Sequence, residues 1–177
     1  MIGDLLLFLA MLALAAILRL TVAELARVKG SSMQPTLRTG QWLLVSRLDY
    51  RLDTPRRGDV VICHYPGRYM DRWKLIRQSF VKRVIALPGE TVGIIEGVVH
   101  IGGEPLQESY LDPARCRFRR NMPARTLGAD EYFVLGDNRD SSNDSRRIGP
   151  LPRRMLVGRV RRVIFPIGCH PRLDTRA

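Results

Sequence analysis

Lysine is scarce in this sequence, although positive charge is abundant. Lys and Arg together number 29 of the 177 residues against 17 Asp and Glu, so the formal net charge is +12. Only Lys29, Lys74 and Lys82 are lysines. Arginine stays protonated in proteins and cannot serve as a base. The charge balance suits an anionic partner, nucleic acid or the phosphate face of a membrane, or a well-solvated surface.

Several familiar site patterns are also missing. The three cysteines, Cys63, Cys116 and Cys169, form no CxxC pair, which argues against zinc, and their odd number gives no disulfide framework. No Gly-x-Ser-x-Gly elbow occurs, and the three histidines lie in no recognisable motif. We therefore expect His64, His100 and His170 to be surface residues of strands or loops. Internal repeats are absent, and beyond the N-terminal segment no long helical period is visible.

One long apolar run stands at the N-terminus. Leu5 to Leu18 is uninterrupted, but 14 residues of helix cover only about two-thirds of a ~30 Å hydrocarbon core. Ile2 to Val22 would span if Asp4 lies at one interface and Arg19 snorkels at the other. The alternative is a cleavable secretory signal with Ala13-Leu14-Ala15 as its site, but the leading residues lack the basic charge that a signal peptide needs. We predict one transmembrane helix.

Beyond Leu37 the pattern is mostly that of β-strands. Short runs rich in Val, Ile, Leu and aromatic residues are bounded by turn residues. Glu96-Gly97 predicts a tight hairpin. The fold expected is mainly β, an antiparallel and partly closed barrel or sandwich. The predicted strands are Trp42 to Ser46, Val60 to Tyr65, Phe80 to Ala86, Thr91 to Ile95, Val98 to Ile101, Glu131 to Leu135 and Leu156 to Ile164.

Residues 102–128 differ from this pattern. They contain three prolines and a basic cluster at Arg115, Arg117, Arg119 and Arg120. We interpret this stretch as a small insertion or lid. Aromatic residues are few, with only Tyr110 and Phe118, which disfavours a nucleic-acid surface. A solvated or lipid-facing surface is favoured for the arginines.

Three stretches contain the polar residues that are candidates for catalysis. The first is Gly30-Ser31-Ser32-Met33-Gln34-Pro35-Thr36-Leu37, in which both serines are candidate nucleophiles. The second contains Lys82, which shares one strand face with apolar Phe80, Val84 and Ala86. Burial there would lower the lysine pKa and make the amine a general base, whereas an edge strand would let it reach solvent.

The third stretch, Gly136 to Arg146, follows an apolar strand. Its Asp and Asn residues are turn formers, and Asp140 and Asp144 can pair with Arg139 and Arg146. An elaborate turn or a calcium loop is the alternative, but the sixth-place glycine and the closing glutamate of an EF-hand are missing.

In this order, the three stretches resemble the type I signal peptidases, membrane-bound serine proteases with a Ser/Lys dyad. The resemblance runs from about Leu5 to Ile164. It implies that the nucleophile is the serine directly before Met, which is Ser32 and not Ser31. It implies that Lys82 is the general base and that Ser142 hydrogen-bonds and positions this lysine. Asp144 and Arg146 correspond to an ion pair that holds the site, and Asp137 and Arg139 to structural positions.

The same resemblance implies the chemistry. The oxyanion would be held by the backbone N–H of Ser32. Some members add a hydroxyl two residues earlier, where this chain has Gly30, so a second donor must come from the backbone or be absent. Met33 is expected near the substrate pocket. No metal or cofactor is needed, and cleavage follows small residues of the Ala-x-Ala type.

The implied organisation is a membrane anchor over residues 1–26 and an extracytoplasmic catalytic β-domain over residues 27–177. The partners expected are pre-proteins with signal peptides and membrane phospholipid; nucleic acid is not expected, and the protein is expected to be a monomer in the plasma membrane. Arg19, Arg27 and Lys29 follow the helix, so the positive-inside rule alone would place the domain in the cytoplasm. We follow the resemblance, since the rule is a bias. The alternatives are a basic membrane-anchored β-domain without catalysis, which would bind lipid headgroups or nucleic acid, and a relative dedicated to one substrate.

Overall fold

The computed structural model describes residues 2–21, 23–70, 77–117, 119–166 and 173. An N-terminal helix α1 (Ile2–Thr21) precedes the strands, and two single-turn helices, α2 (Asp49–Leu52) and α3 (Ser145–Ile148), lie between them. The strands are β1 (Ala23–Arg27), β2 (Trp42–Ser46), β3 (Val60–Tyr69), β4 (Arg77–Ala86), β5 (Thr91–Ile95), β6 (Val98–Ile101), β7 (Glu104–Pro105), β8 (Met122–Thr126), β9 (Glu131–Leu135), β10 (Leu151–Pro152) and β11 (Leu156–Phe165).

The strands form two sheets, and all of the strand pairs are antiparallel. The larger sheet has the order β1-β2-β11-β3-β4-β9-β10, and the smaller has the order β7-β6-β5-β8. The expectation of a mainly β, antiparallel domain is confirmed. Among the described strands no closed barrel forms, because β1 and β10 remain at the two edges of the larger sheet.

The predicted hairpin at Glu96-Gly97 is confirmed. Ile95 pairs with Val98 across it, and both turn residues have positive φ, 48° at Glu96 and 84° at Gly97. Such angles match the right-handed twist of the flanking strands, and glycine adopts them without strain. The hairpin joins β5 to β6 in the smaller sheet.

Residues 102–128 contribute to the smaller sheet. They contain β7 and β8, and β8 pairs with β5 along the edge opposite β7. Sequence reasoning missed both strands, since Pro105 and Pro123 stand inside them and proline lowers the strand signal. Residues 102–128 therefore supply two strands to the smaller sheet, and the residues between these strands lie outside it.

Helix α1 ends at Thr21, and β1 begins two residues later and pairs with β2. The described side chains of α1 are exposed, among them Leu5, Leu6, Leu7 and Phe8 at 58–65 %. Within the part of the chain that the structure describes, no helix combines the length and the hydropathy of a membrane-crossing segment.

The histidine and cysteine predictions can be compared with the structure in part. His64 and His100 are half-buried strand residues whose Nδ1 atoms lie 3.3 Å and 3.1 Å from backbone carbonyl oxygens. Cys63 and Cys116 are free thiols, and burial raises the pKa of Cys63 to about 12. The predictions for His170, Cys169, Lys74 and Phe118 lie outside the described residues.

Candidate active site

The turn between β1 and β2 presents Ser32. Gly30 begins this turn with a φ of +89°, a backbone conformation that favours glycine. The carbonyl oxygen of Ser32 accepts a hydrogen bond from the N–H of Asn138 at 3.0 Å. The Asn138 side chain donates to the carbonyl oxygen of Ser31 at 3.2 Å. These bonds attach the first predicted motif to the third, although more than a hundred residues separate them.

Lys82 lies next to Ser32. It sits in β4 opposite Val61 of β3, and its Nζ is 2.8 Å from Ser32 Oγ and 3.0 Å from the carbonyl oxygen of Val81. The residue is only 2 % exposed. The second and first predicted motifs therefore meet at hydrogen-bonding distance.

The surroundings of Lys82 disfavour its charged form. Among the described residues, Lys82 forms no ion pair with a carboxylate. Burial lowers the pKa of its amine below the ordinary lysine value, and this outweighs the more distant Asp144 and Asp137 carboxylates, which act to raise it. The apolar-face interpretation of Lys82 is thus supported over an edge strand that lets the amine reach solvent.

Ser142 does not make the contact that the sequence predicts. Its Oγ is buried and has no hydrogen-bond partner among the described residues. The amine of Lys82 is occupied by Ser32 and Val81 instead. The predicted Ser142–Lys82 hydrogen bond is therefore absent from this structure, because the lysine amine is directed at the nucleophile and at its own strand.

Gly136 allows the loop after β9 to approach the turn that carries Ser32. A Cβ at this position would clash with Ser142 Oγ and the Ser32 carbonyl oxygen, and would lie 2.7 Å from Ser142 Cβ. The space available fits only a hydrogen atom. Gly136 immediately follows β9, whose Leu135 pairs with Arg83 of β4. Strand pairing therefore brings the loop after β9 against the nucleophile turn.

Arg83, the residue after Lys82, is fully buried and paired. Its guanidinium donates to both carboxylate oxygens of Asp137, at 2.9 Å and 2.7 Å, and to the carbonyl oxygen of Gly58 at 2.9 Å. Thr36 of the nucleophile turn donates to the same carboxylate at 2.5 Å. Asp137 therefore has the structural position expected of it, and Arg83 is its partner.

The remaining charged residues of the loop after β9 form two further pairs. Asp144 and Arg146 pair at 2.8 Å, as expected, and Asp144 also accepts the N–H of Gly136 at 3.1 Å. Arg139 pairs with Glu108 rather than with Asp140, and its Nη1 lies 3.0 Å from Glu108 Oε2. Asp140 instead accepts the backbone N–H of Arg117 at 3.0 Å.

The pairing of Glu108 with Arg139 places residues 102–128 against the candidate site. Tyr110 donates its hydroxyl to Glu108, and its ring lies 3.9 Å from the Arg83 guanidinium carbon. Sequence reasoning missed Arg83, Glu108 and Tyr110. For Arg83 a signal existed, since a second cation follows Lys82 inside an apolar strand. For the other two residues no local pattern pointed to the site.

A cavity of about 300 Å³ opens beside the two candidate catalytic groups. We call it the dyad cleft. Met33 lines it but is only 2 % exposed and packs in the core with Val28 and Leu37. The remaining lining combines apolar residues with charged and polar ones. The apolar residues include Ala26, Val28, Ile62, Phe80 and Val81, and the others are Arg27, Lys29, Gln78 and Ser79.

A metal centre finds no support in the side chains described. Within the described ranges, no group of three or more His, Cys, Asp or Glu residues is arranged to hold a metal ion. The site chemistry available is that of a hydroxyl, an amine whose pKa is lowered by burial, and backbone amides. The expectation that no metal or cofactor is required stays a prediction.

Comparisons with known proteins identify the family. The family model described as "Signal peptidase, peptidase S26" matches residues 2–165. This chain belongs to the signal peptidase family S26. It is accordingly a peptidase, a hydrolase, and the resemblance deduced from the three motifs is confirmed.

The agreement with this family comes from two relatives, and a solved structure shows a likeness only. A probable signal peptidase I-1 of Synechocystis sp. is 40% identical over 156 residues, covering 88% of this chain and 78% of the relative. A signal peptidase I of Leptolyngbya laminosa is 37% identical over 155 residues, covering 87% and 74%. The crystal structure of a signal peptidase I from Enterococcus faecalis V583 is 30% identical, with a TM-score of 0.49, and covers 62% of this chain and 98% of that one.

Proposed function

We propose that this S26 peptidase is a membrane-bound serine endopeptidase that removes N-terminal signal peptides from exported pre-proteins, with Ser32 as nucleophile and Lys82 as general base. The observation that supports this proposal is the 2.8 Å contact between Ser32 Oγ and the buried Lys82 amine. Burial lowers the pKa of this amine, so a larger fraction of it is neutral and able to act as a base than for a solvated lysine.

The first half of the reaction forms an acyl-enzyme. The neutral Lys82 amine accepts the proton of Ser32, and the serine oxygen attacks the scissile carbonyl. The N–H of Ser32 donates to the oxyanion; within the described chain, this N–H has no other acceptor. The protonated amine then gives its proton to the leaving nitrogen, and the peptide bond breaks.

The second half releases the signal peptide. Lys82, neutral again, accepts a proton from a water molecule that attacks the ester, and the serine leaves with that proton. Gly30 offers no side-chain hydroxyl for a second oxyanion donor, so the backbone would have to supply it. Four charged residues maintain the geometry of the site through the ion pairs described above; they are Asp137, Arg139, Asp144 and Arg146. Ser142 lies close enough to Gly136 to belong to the same arrangement.

The dyad cleft would receive the residues before the cut. The apolar residues in its lining and its moderate size favour small side chains such as those of an Ala-x-Ala site. Met33 forms part of its wall while staying packed in the core. An extended substrate can pair there as an added strand, since the cleft lies between residues of β1 and β4.

Membrane attachment is assigned to α1. Its described leucines are 51–65 % exposed, and such side chains are stabilised by lipid. The anchor proposed is α1. The proposed catalytic domain begins with β1 rather than after residue 26 as expected from the sequence, because Ala23–Arg27 pair with β2 in the larger sheet. This domain is proposed to lie on the extracytoplasmic side of the plasma membrane. The enzyme is proposed to act as a monomer on pre-proteins at a phospholipid surface.

The test is cleavage of a precursor with an Ala-x-Ala site, in detergent with lipid, from about pH 6 to about pH 10. We expect Ser32→Ala and Lys82→Ala to lose at least about 10⁴-fold in rate while remaining folded, because the two groups act as a unit. Ser31→Ala is the matched control, since within the described ranges the Ser31 hydroxyl hydrogen-bonds the Ser141 hydroxyl, at 3.4 Å, and not Lys82. Full activity in Ser32→Ala or Lys82→Ala would refute the dyad.

A further inference from the structure

The turn that carries Ser32 contains three consecutive peptide groups whose carbonyl oxygens are all hydrogen-bonded. The carbonyl oxygen of Gly30 accepts from Thr39 Oγ1 at 2.8 Å. The carbonyl oxygen of Ser31 accepts from the side chain of Asn138 at 3.2 Å, and that of Ser32 accepts from the N–H of Asn138 at 3.0 Å. These contacts fix how the three peptide groups are oriented.

The N–H ends of the same peptide groups are not used inside the fold. Among the described residues, no acceptor lies within hydrogen-bonding distance of the N–H of Ser31, Ser32 or Met33. A backbone N–H without an internal acceptor is available to water or to a ligand. Ser31 and Ser32 are half-buried, whereas Met33 is only 2 % exposed and packs in the core. The two N–H groups that a substrate can reach are therefore those of Ser31 and Ser32.

Thr39 determines the direction of the Ser31 N–H. The peptide bond between Gly30 and Ser31 is trans, so its N–H points opposite to its carbonyl oxygen. Since that oxygen points to Thr39, the Ser31 N–H points away from Thr39. Gly30 has a φ of +89°, whereas the φ of Ser31 is not positive. Successive N–H groups in such a turn form a concavity that binds anions.

We propose that the backbone N–H of Ser31 is the second donor of the oxyanion hole, beside the N–H of Ser32, and that Thr39 positions it. This inference rests on the proposed function, since it takes Ser32 as the nucleophile. Gly30 and Ser32 both line the dyad cleft, so Ser31 lies between two residues that face the expected substrate. A scissile carbonyl oxygen that gains negative charge would accept from both N–H groups. The hydroxyl missing at Gly30 is thereby replaced by a peptide group.

Variants of Thr39 test its positioning role on a precursor with an Ala-x-Ala site. Thr39→Val keeps the shape of the side chain and removes the hydroxyl, so the peptide group before Ser31 loses a support. We expect kcat to fall about 10-fold, the order of one hydrogen bond, and KM to stay unchanged, because the oxyanion is absent from the ground state. Thr39→Ser keeps the hydroxyl and should retain the wild-type kcat. Thr54→Val is the matched control, since Thr54 is exposed and does not line the dyad cleft.

A backbone ester tests the N–H itself. Replacement of Ser31 by glyceric acid, its hydroxy-acid counterpart, keeps the side chain and substitutes an ester oxygen for the N–H, whereas Ser31→Ala retains this N–H. We expect kcat of the ester variant to fall about 10²–10³-fold, the effect of removing one oxyanion donor. An unchanged kcat in the ester variant or in Thr39→Val would overturn the proposal. If only the corresponding ester at Met33 lowers kcat, the second donor is the Met33 N–H and the proposal is wrong.

Affinity for a tetrahedral adduct separates this inference from the proposed function. A peptide boronic acid with an Ala-x-Ala sequence forms such an adduct with a serine hydroxyl, and the corresponding peptide amide does not. Thr39→Val and the ester at Ser31 should both weaken binding of the boronic acid and leave binding of the amide unchanged. This pattern without cleavage of precursors by wild type would refute the peptidase proposal and retain the donor pair. Cleavage by wild type, with equal affinity of wild type and both variants for the boronic acid, would refute the donor pair and retain the peptidase proposal.

Discussion

Lys82 and Arg83 are consecutive cations in β4, both almost completely buried, at 2 % and 0 % exposure. Arg83 is surrounded by acceptors: both oxygens of Asp137, the carbonyl oxygen of Gly58 and the face of Tyr110. Among the residues that the structure describes, only the Ser32 hydroxyl and the Val81 carbonyl oxygen lie within hydrogen-bonding distance of the Lys82 amine. In this part of the chain, β4 therefore buries Arg83 with a carboxylate and Lys82 without one.

The difference indicates separate roles. A buried charge is costly unless it is paired, and an unpaired amine responds by losing its proton. Arginine cannot respond in this way, because its pKa is too high, so it requires Asp137. The pairing of Arg83 keeps its charge balanced inside the fold. Lys82, which has no carboxylate partner among the described residues, has a lowered pKa, and this is the property that the proposed general base needs.

The largest effect expected is on activity at Lys82. Lys82→Met keeps the volume of the side chain and removes the amine, so cleavage should fall by at least about 10⁴-fold. The free energy of unfolding at neutral pH should equal or exceed that of wild type, because an amine with no carboxylate partner is lost from the core. Cleavage rates on the Ala-x-Ala precursor test the expected loss of activity, and urea unfolding tests the expected stability. A strong loss of stability would show that Lys82 is structural.

The reverse outcome is expected at Arg83. Arg83→Met leaves the Asp137 carboxylate buried without its partner, and we expect a loss of about 3–5 kcal/mol in the free energy of unfolding. The measurement is urea denaturation at neutral pH. Arg83→Met combined with Asp137→Asn removes both charges and should recover part of this loss. If Arg83→Met alone unfolds at the wild-type urea concentration, the ion pair contributes nothing and the comparison fails.

A smaller effect is expected where the loop after β9 meets the nucleophile turn. Gly136→Ala would push its methyl group into Ser142 and the Ser32 carbonyl oxygen, at a cost of about 1–3 kcal/mol in stability. Activity should fall as well, since Ser32 shifts against Lys82. Gly128→Ala is the control, because a Cβ there would meet Glu131 at an ordinary 3.5 Å. Thermal unfolding together with cleavage rates distinguishes the two variants.

The smallest effect expected is a pH dependence of stability. Because burial lowers the pKa of Lys82 in the folded protein, the unfolded chain binds more protons between that value and the unfolded pKa of about 10.4. Stability from this group therefore rises with pH through that window and is lost as pH falls through it. The difference in unfolding free energy between wild type and Lys82→Met, measured against pH, should show this slope. A flat difference would mean that Lys82 is protonated in both states.

Much of the architecture followed from the strand patterns. Trp42–Ser46, Thr91–Ile95, Val98–Ile101 and Glu131–Leu135 have the bounds expected, because apolar alternation and turn residues are local signals. The prediction that alternate residues of β4 share one face of the strand applies only as far as Val84. A bulge lies between Val84 and Ala86 in the pairing with β9, and Ala86 packs in the same core cluster as Ile85. Alternation alone does not reveal where a bulge occurs.

The candidate site could be predicted where its residues belong to the three motifs. It could not be predicted where a residue lies far from these motifs in the sequence and belongs to no pattern. Ser32 and Lys82 were placed together by family resemblance, since nothing local joins residues fifty positions apart. Glu108 was missed because one glutamate in an irregular, proline-containing segment is typical of a solvated surface. Its burial beside Arg139, with side chains 6 % and 5 % exposed, depends on the packing of the excursion against the loop after β9.

The Lys82 amine contacts the carbonyl oxygen of Val81 in its own strand. The location of the amine therefore depends on how β4 is aligned with the neighbouring strands. A shift of β4 by one residue against β3 and β9 would exchange the faces of Lys82 and Arg83. The guanidinium would then face Ser32, and the ammonium would face Asp137. Such a slip would also move the apolar side chains of β4 to the opposite faces of the sheet. Correct registration during folding is thus a requirement for the proposed chemistry as well as for stability.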